Sequence, residues 1–304
     1  MLGNSRPRAD GELRRARPLL GTLVEIRIPE ASEAANAALE SAFSAIGRVH
    51  ALMSFHEPTS DLGRINRAAA GVAVDVDPWT FEVLVHARRI AELSDGLFDV
   101  TVADVLVLRG LLPALPGAMP AESSDAAQRP SFRELELRAP NRVAWRRKCL
   151  VDLGGIAKGY AVDRALQSLR EAGIASAVVN AGGDLACFGR PAPVHLRDPM
   201  SPRRLVDLGD IDEAAVATSA GYFSETRDVD ALVDPRRAAC TSWRGSVSVI
   251  ARDCVVADAL TKVVALDPDR APRILSRLGA QALRIDATGL SVIGDHAGFR
   301  LRTG

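Results

Sequence analysis

The chain predicts an α+β fold, on three observations. Helical and strand-like segments are interspersed without the strict alternation of a doubly wound βαβ sheet. Apolar residues recur at helical spacing in some segments and at every second position in others. No internal repeat is present, which argues against a solenoid. Of 304 residues, 47% are hydrophobic and 25% charged, so the chain can bury a core and is not disordered.

The elements follow in order. Residues 1–17 are rich in arginine and read as a flexible tail, with one folded domain over 18–304. A secretory signal needs an apolar stretch after its basic residues. Here Pro18 and Gly21 interrupt instead, so the Arg14-Arg15 pair is not read as an export signal and a cytoplasmic location is expected. Thr22 to Ile28 alternates like a half-buried strand. Ser32 then caps a helix of about twenty residues with Leu39, Ala42, Phe43, Ile46 and Val49 on one side. A loop over 53–60 leads to a short helix over 61–70, and Pro78 opens a helix that Gly96 closes.

Residues 111–130, rich in Pro, Ala and Ser, read as an exposed loop, followed by strands at 134–138 and 142–146. Cys149 to Leu153 is a short apolar run, Gly154-Gly155 turns the chain, and a helix runs from Ile156 to Ala172 before Gly173. A strand at 175–179 ends in a turn, Asn180 to Asp184. Thr218 to Gly221 reads as a loop, Asp234-Pro235 as a turn and Ser246 to Ala251 as a strand. Helices near 257–266 and 272–278 and a closing strand pair complete the chain.

Several functions are excluded. Thirty-eight basic residues balance thirty-eight acidic ones, so no bulk attraction to nucleic acid or anionic lipid arises. No apolar run approaches the ~18 residues of a membrane span. The four cysteines form no C-x-x-C pair, which excludes a zinc ribbon. The chain carries no P-loop, G-x-G-x-x-G, H-E-x-x-H or G-x-S-x-G motif.

Four constellations can carry chemistry. Asp152 to Tyr160 joins a strand end, the pair Gly154-Gly155 and a helix start with Lys158 in its first turn. That arrangement suits an anionic phosphate, or else a glycine turn chosen for close packing. Asn180-Ala181-Gly182-Gly183-Asp184 is either the second wall of a nucleotide cleft or a plain strand-ending turn. Asp99-Val100-Thr101, led by Gly96, can hydrogen-bond a heterocycle or ribose, or cap a helix. Asp258, between a buried-looking strand and a small-residue helix, can hold Mg2+ or cap that helix. Only Lys148, Lys158 and Lys262 break an otherwise arginine-only use of cations, which points to compact charges at specific places.

Taken together these residues resemble the FAD:protein FMN transferase (ApbE) family. The resemblance runs in order from about residue 18 to 267. It includes Leu20-Gly21-Thr22, Met53-Ser54 with Ser60-Asp61-Leu62, Gly96 to Thr101, and Asp152 to Tyr160 with Asp163. It continues through Asn180 to Asp184, Ala217-Thr218-Ser219, Val233-Asp234-Pro235 and Ala257 to Leu260. It implies a single ApbE-type, T-fold-like domain, a mixed and largely antiparallel sheet with packed helices. It also implies Mg2+-dependent transfer of FMN from FAD to a Ser or Thr hydroxyl of a target flavoprotein, with AMP released. The alternatives kept beside it are an FAD pyrophosphatase and a non-catalytic flavin carrier.

Carried over by position, Asp258 and Lys158 would act in catalysis. Met53, Asp99, Val100, Thr101, Gly154, Gly155, Lys158, Gly182, Gly183, Asp184, Thr218, Ser219, Leu232 and Val233 would contact FAD. Gly155, Asp258, Thr261 and Lys262 would form the metal site. Three positions depart from the family pattern. Lys262 stands where the family has a metal-binding Thr four residues after the Asp, with Thr261 one place early. Ala231 stands where a His is usual, and Thr-Ser-Gly is here Thr218-Ser219-Ala220-Gly221.

Overall fold

The computed structural model describes residues 11–117, 129–201, 203–221, 232–241 and 243–294. The chain opens on a hairpin, β1 (Leu13–Leu19) and β2 (Thr22–Ile28), then enters α1 (Glu33–Met53), α2 (Asp61–Arg67), β3 (Val74–Asp75) and α3 (Pro78–Leu93). The Ser32 hydroxyl accepts the Ala35 N–H at 3.0 Å, and α1 buries Leu39, Phe43, Ile46 and Val49 along one stripe. Asp77 caps α3 through the Trp79 N–H at 2.9 Å, with Pro78 in the first turn where no donor is needed. Next come α4 (Ala103–Leu108), β4 (Leu135–Arg138), β5 (Arg142–Trp145) and α5 (Ala157–Glu171).

The rest of the chain is mostly sheet. It comprises β6 (Ala177–Ala181), β7 (Asp184–Phe188), β8 (Ala192–Arg197), β9 (Leu205–Ile211), β10 (Ala215–Ala220), β11 (Val233–Asp234), β12 (Ala239–Cys240) and β13 (Ser246–Ala251). It closes with α6 (Cys254–Leu266), α7 (Ala271–Arg277), β14 (Gln281–Asp286) and β15 (Gly289–Ile293).

Eight strands form one open sheet in the order β1-β2-β6-β7-β10-β13-β14-β15. Every strand pair in this sheet among the described residues is antiparallel, in keeping with the largely antiparallel sheet expected. Period-2 alternation sends residues of the same strands into two cores. Val179, Ala217, Val247 and Val249 pack under α1, α5 and α6, whereas Cys187, Val216, Ile250 and Leu283 meet the β8–β9 hairpin on the other face.

The structure departs from the sequence reading in four places. Residues 13–17, read as tail, belong to edge strand β1, where Arg14 pairs with Glu25 at 2.5 Å. Residues 1–10 lie outside the described residues, as do 118–128 of the loop expected over 111–130, and Ala231. Thr218 to Ala220, read as loop, are the end of β10 between β7 and β13, and the Thr218 and Ser248 hydroxyls bond across the strands at 2.8 Å. The α6 helix starts at Cys254, because Asp163 of α5 accepts the Cys254 and Val255 N–H groups, each at 2.8 Å. A cap borrowed from another helix leaves no local sign. The β8–β9 hairpin was not read at all.

Candidate active site

Segments far apart in the chain converge on one cavity of about 790 Å3, within the roughly 300–1,000 Å3 usual for small-molecule sites. The first follows α3. The Gly96 N–H bonds the Ala91 carbonyl at 2.8 Å with φ +76°, and the reversal brings Leu97, Phe98, Asp99 and Val100 to the cavity wall. The Asp99 carboxylate is spent inside the protein: Oδ1 accepts the Thr101 N–H at 2.8 Å and its hydroxyl at 2.7 Å, and Oδ2 accepts the Phe132 N–H at 3.1 Å. Capping therefore accounts for this pair. Thr101, buried beneath Asp99, does not line the cavity. Burial raises the Asp99 carboxyl above its usual range against the opposing pull of these hydrogen bonds.

The second segment is the turn into α5, where Asp152, Gly154, Gly155 and Lys158 line the cavity. The Ile156 and Ala157 N–H groups both bond the Leu153 carbonyl, at 3.0 and 2.8 Å, and the Gly159 N–H bonds Asp258 Oδ2 at 3.1 Å. Those donors of the helix start are engaged within the chain rather than offered to a phosphate. Gly155 lies close under the lysine: a Cβ there would lie 3.2 Å from Lys262 Cε, which would have to shift slightly, and 3.7 Å from Phe98 Cε2. In the third segment Gly182 and Gly183 make the β6–β7 turn at φ +68° and +109°, and a Cβ on Gly182 would lie 2.2 Å from the Thr22 hydroxyl. Only glycine fits there.

Thr218 and Ser219 come from β10, and Leu232 and Val233 from the start of β11. Thr261 and Lys262 come from α6. Beneath this wall lies a cluster of charges. Lys158 Nζ bonds Asp184 Oδ2 and lies 3.7 Å from Asp258 Oδ2. Lys262 Nζ bonds Asp258 Oδ1 and, at 2.9 Å, the Asp258 main-chain carbonyl. Both carboxylates are 1% exposed and sit behind the lysines rather than on the wall.

Burial and the neighbouring Asp258 charge push the Asp184 carboxyl up to about 6, against the pull of Lys158. Burial opposes ionisation of Asp258 too, but Lys158 and Lys262 overcome it and hold that carboxyl below its usual range. Burial would lower the Lys158 ammonium; Asp258 and Asp184 outweigh it and hold it above the usual lysine range.

The segments 152–159 and 257–262, far apart in sequence, thus meet at one site. Met53 does not join it: it is the last residue of α1, buried in the main core and off the cavity wall. The wall also contains residues outside the expected set, namely Asp152, His195, Arg197, Leu205 and Trp243. The alternation of Ala192, Val194 and Leu196 with Pro193, His195 and Arg197 was the available signal for the β8 contribution.

The expected Mg2+ site does not fit these residues. Mg2+ needs oxygen ligands at about 2.0–2.1 Å in near-octahedral array. Here two Asp258 oxygens hold the Lys262 ammonium, and the Thr261 hydroxyl donates to the Asp258 carbonyl at 2.7 Å while meeting the Ser219 hydroxyl at 2.7 Å. Both carboxylates are already matched by ammonium groups, so a divalent ion would meet two cations instead of a negative cage. Among the described residues no group of three or more His, Cys, Asp or Glu side chains is placed to hold a metal.

Comparison with known proteins places this geometry. The model of the ApbE family matches residues 20–284. The chain is 31% identical to the FAD:protein FMN transferase of Rhodobacter capsulatus, over 89% of this chain and 55% of that protein. It is 30% identical to the FAD:protein FMN transferase of Treponema pallidum, over 69% of this chain and 65% of that one. The chain thus spans between half and two thirds of these relatives' length. Among solved structures, the ApbE protein of Thermotoga maritima superposes with a TM-score of 0.76 at 27% identity, covering 92% of this chain and 96% of that one. The flavin transferase ApbE of Vibrio cholerae superposes at 0.79 with 23% identity, covering 95% and 98%, a likeness of fold. No helix among the described residues is long and apolar enough to cross a membrane.

Proposed function

The chain belongs to the ApbE family, and from that premise we propose that it transfers FMN from FAD to a Ser or Thr hydroxyl of an acceptor flavoprotein and releases AMP. The observation that carries this reading is a single cavity whose wall combines apolar and aromatic side chains with two lysines and three hydroxyl residues. Phe98, Leu106 and Trp243 offer surfaces for flat rings, and Lys158 and Lys262 offer positive charge for a pyrophosphate.

In this reading the acceptor oxygen attacks the flavin-side phosphorus. The bond from that phosphorus to the bridging oxygen breaks, AMP leaves with that oxygen, and the hydroxyl proton passes to solvent. Phosphoryl transfer asks mainly for positioning and for charge already in place. Lys158, held by Asp184 and near Asp258, supplies a fixed cation at the start of α5. No step runs through Mg2+, because Asp258 Oδ1 is engaged by Lys262, and the Thr261 hydroxyl by the Asp258 carbonyl and Ser219.

Incubation with FAD and small flavoproteins bearing a Ser/Thr-Gly-Ala-Ser/Thr segment tests the reading. A covalent, UV-fluorescent acceptor band on a denaturing gel, with one AMP per flavin attached, is expected. Release of free FMN and AMP with no labelled acceptor would replace the reading with hydrolysis.

A further inference from the structure

We propose that the Lys262 ammonium serves this chain as a built-in substitute for a divalent cation, so that FAD is held and its pyrophosphate neutralised without metal. The inference rests on the FAD reading above and concerns how that same site handles charge.

Position carries the first part. Lys262 lies four residues after Asp258 on α6, hence on the same helix face. Its stem packs against the turn at Gly155, where a Cβ would come within 3.2 Å of Cε. Its ammonium has three donors. One meets the Asp258 carbonyl at 2.9 Å and another meets Asp258 Oδ1, while the side chain remains 20% exposed on the cavity wall. The third is left for a ligand oxygen.

Charge carries the second part. Counting Asp184, Asp258, Lys158 and Lys262, the cluster is neutral before any ligand enters, while Asp152, near Lys262 on the same wall, is pushed by burial toward its neutral form. With a neutral side chain at 262 the same cluster would carry one net negative charge facing an anionic ligand, and only an added cation would cancel it. Lys262 makes that correction covalently. The hydroxyls nearest to it are bonded to each other, Ser219 to Thr261 at 2.7 Å, and so do not form a waiting ligand set. An ammonium brings one charge rather than two, so Lys158 on the same wall shares the work.

The test reads binding rather than turnover. FAD affinity is measured by isothermal titration calorimetry on metal-stripped protein, in chelator and in millimolar Mg2+. Uptake of Mn2+ is followed by electron paramagnetic resonance with and without FAD. For the unaltered chain the two FAD affinities are expected to agree within about threefold, with no stoichiometric Mn2+ uptake. Lys262→Thr is expected to bind FAD about 10–100-fold more weakly in chelator, the worth of one charged hydrogen bond, and to recover affinity and take up one Mn2+ when both are supplied.

Lys262→Met keeps the stem against Gly155 without the charge, and is expected to show the same weakening. A tenfold or greater gain in FAD affinity of the unaltered chain on adding Mg2+, or one bound Mn2+ per chain, overturns the proposal. So does unchanged FAD binding by both variants in chelator. Metal-independent FAD binding with no transfer to an acceptor supports the proposal and overturns the transferase reading instead. Failure to bind FAD in every condition overturns both.

Discussion

Two of the buried aspartates by the cavity, Asp99 and Asp258, have surroundings that differ in kind. The hydrogen bonds to Asp99 come from neutral donors, two N–H groups and a hydroxyl; with Arg129 pulling only weakly, burial raises its carboxyl. Asp258 is buried more deeply, 1% against 9% exposed, yet burial is overcome and its carboxyl is held low because two ammonium groups face it. Neutral hydrogen bonds hold a loop in shape without deciding its ionisation; full charges decide both. The Asp99 region is therefore a scaffold that carries Phe98 to the wall, and the Asp258 region holds the charges on which the proposed function draws.

Substitutions sharpen this contrast. The largest effect is expected for Asp258→Ala, which leaves two lysines beside an empty space and the Gly159 N–H unpaired. Breaking a buried pair costs about 3–5 kcal/mol. Chemical denaturation should show that loss, and an equally stable variant would mean that the cluster is already solvated.

A smaller effect is expected for Asp99→Ala. It orphans the Thr101 and Phe132 N–H groups, at about 1–3 kcal/mol for buried donors, while FAD affinity shifts through the Phe98 position alone. An FAD affinity that becomes dependent on ionic strength in this variant would erase the distinction between the two regions.

The smallest effect concerns pH. Asp184 is pushed up to about 6, so the folded protein holds this proton at pH values where the unfolded chain has lost it. Its contribution to stability is complete below the ordinary carboxylate value and is lost as pH rises through about 6. Protonation also leaves Lys158 less neutralised. FAD affinity should tighten about 2–5-fold between neutral and mildly acid pH, and titration calorimetry should find that slope abolished in Asp184→Asn.

Much of the scaffold was legible locally. Ser32, Pro78, Gly96 and Gly173 bound their helices because capping, a first-turn proline and left-handed termination are decided within a few residues. The site was legible as fragments. The Gly154-Gly155 turn, Lys158, the Gly182-Gly183 turn and the 218–219, 232–233 and 261–262 segments all reach one cavity. Other assignments depended on distant partners. Thr218 to Ala220 resemble a loop until β13 pairs along them, and α6 starts early because Asp163 caps it from α5. Met53 ends a buried stripe that can be extended by one turn of helix into the core as easily as toward a ligand.

Most helix ends and the residue types on the cavity wall were determined by the sequence itself, since each depends on short-range periodicity and local donors. Apart from the Asp258–Lys262 pair, set one helical turn apart on α6, which carboxylate meets which ammonium was decided by the tertiary structure. Asp184 and Lys158 are separated by a helix and a strand, and Asp258 joins them only because Gly159 lets α5 close on α6, where a Cβ would lie 2.3 Å from the Cys254 carbonyl. Electrostatic energy depends on distance in space, and the register of a sheet and the closeness of two helices set that distance.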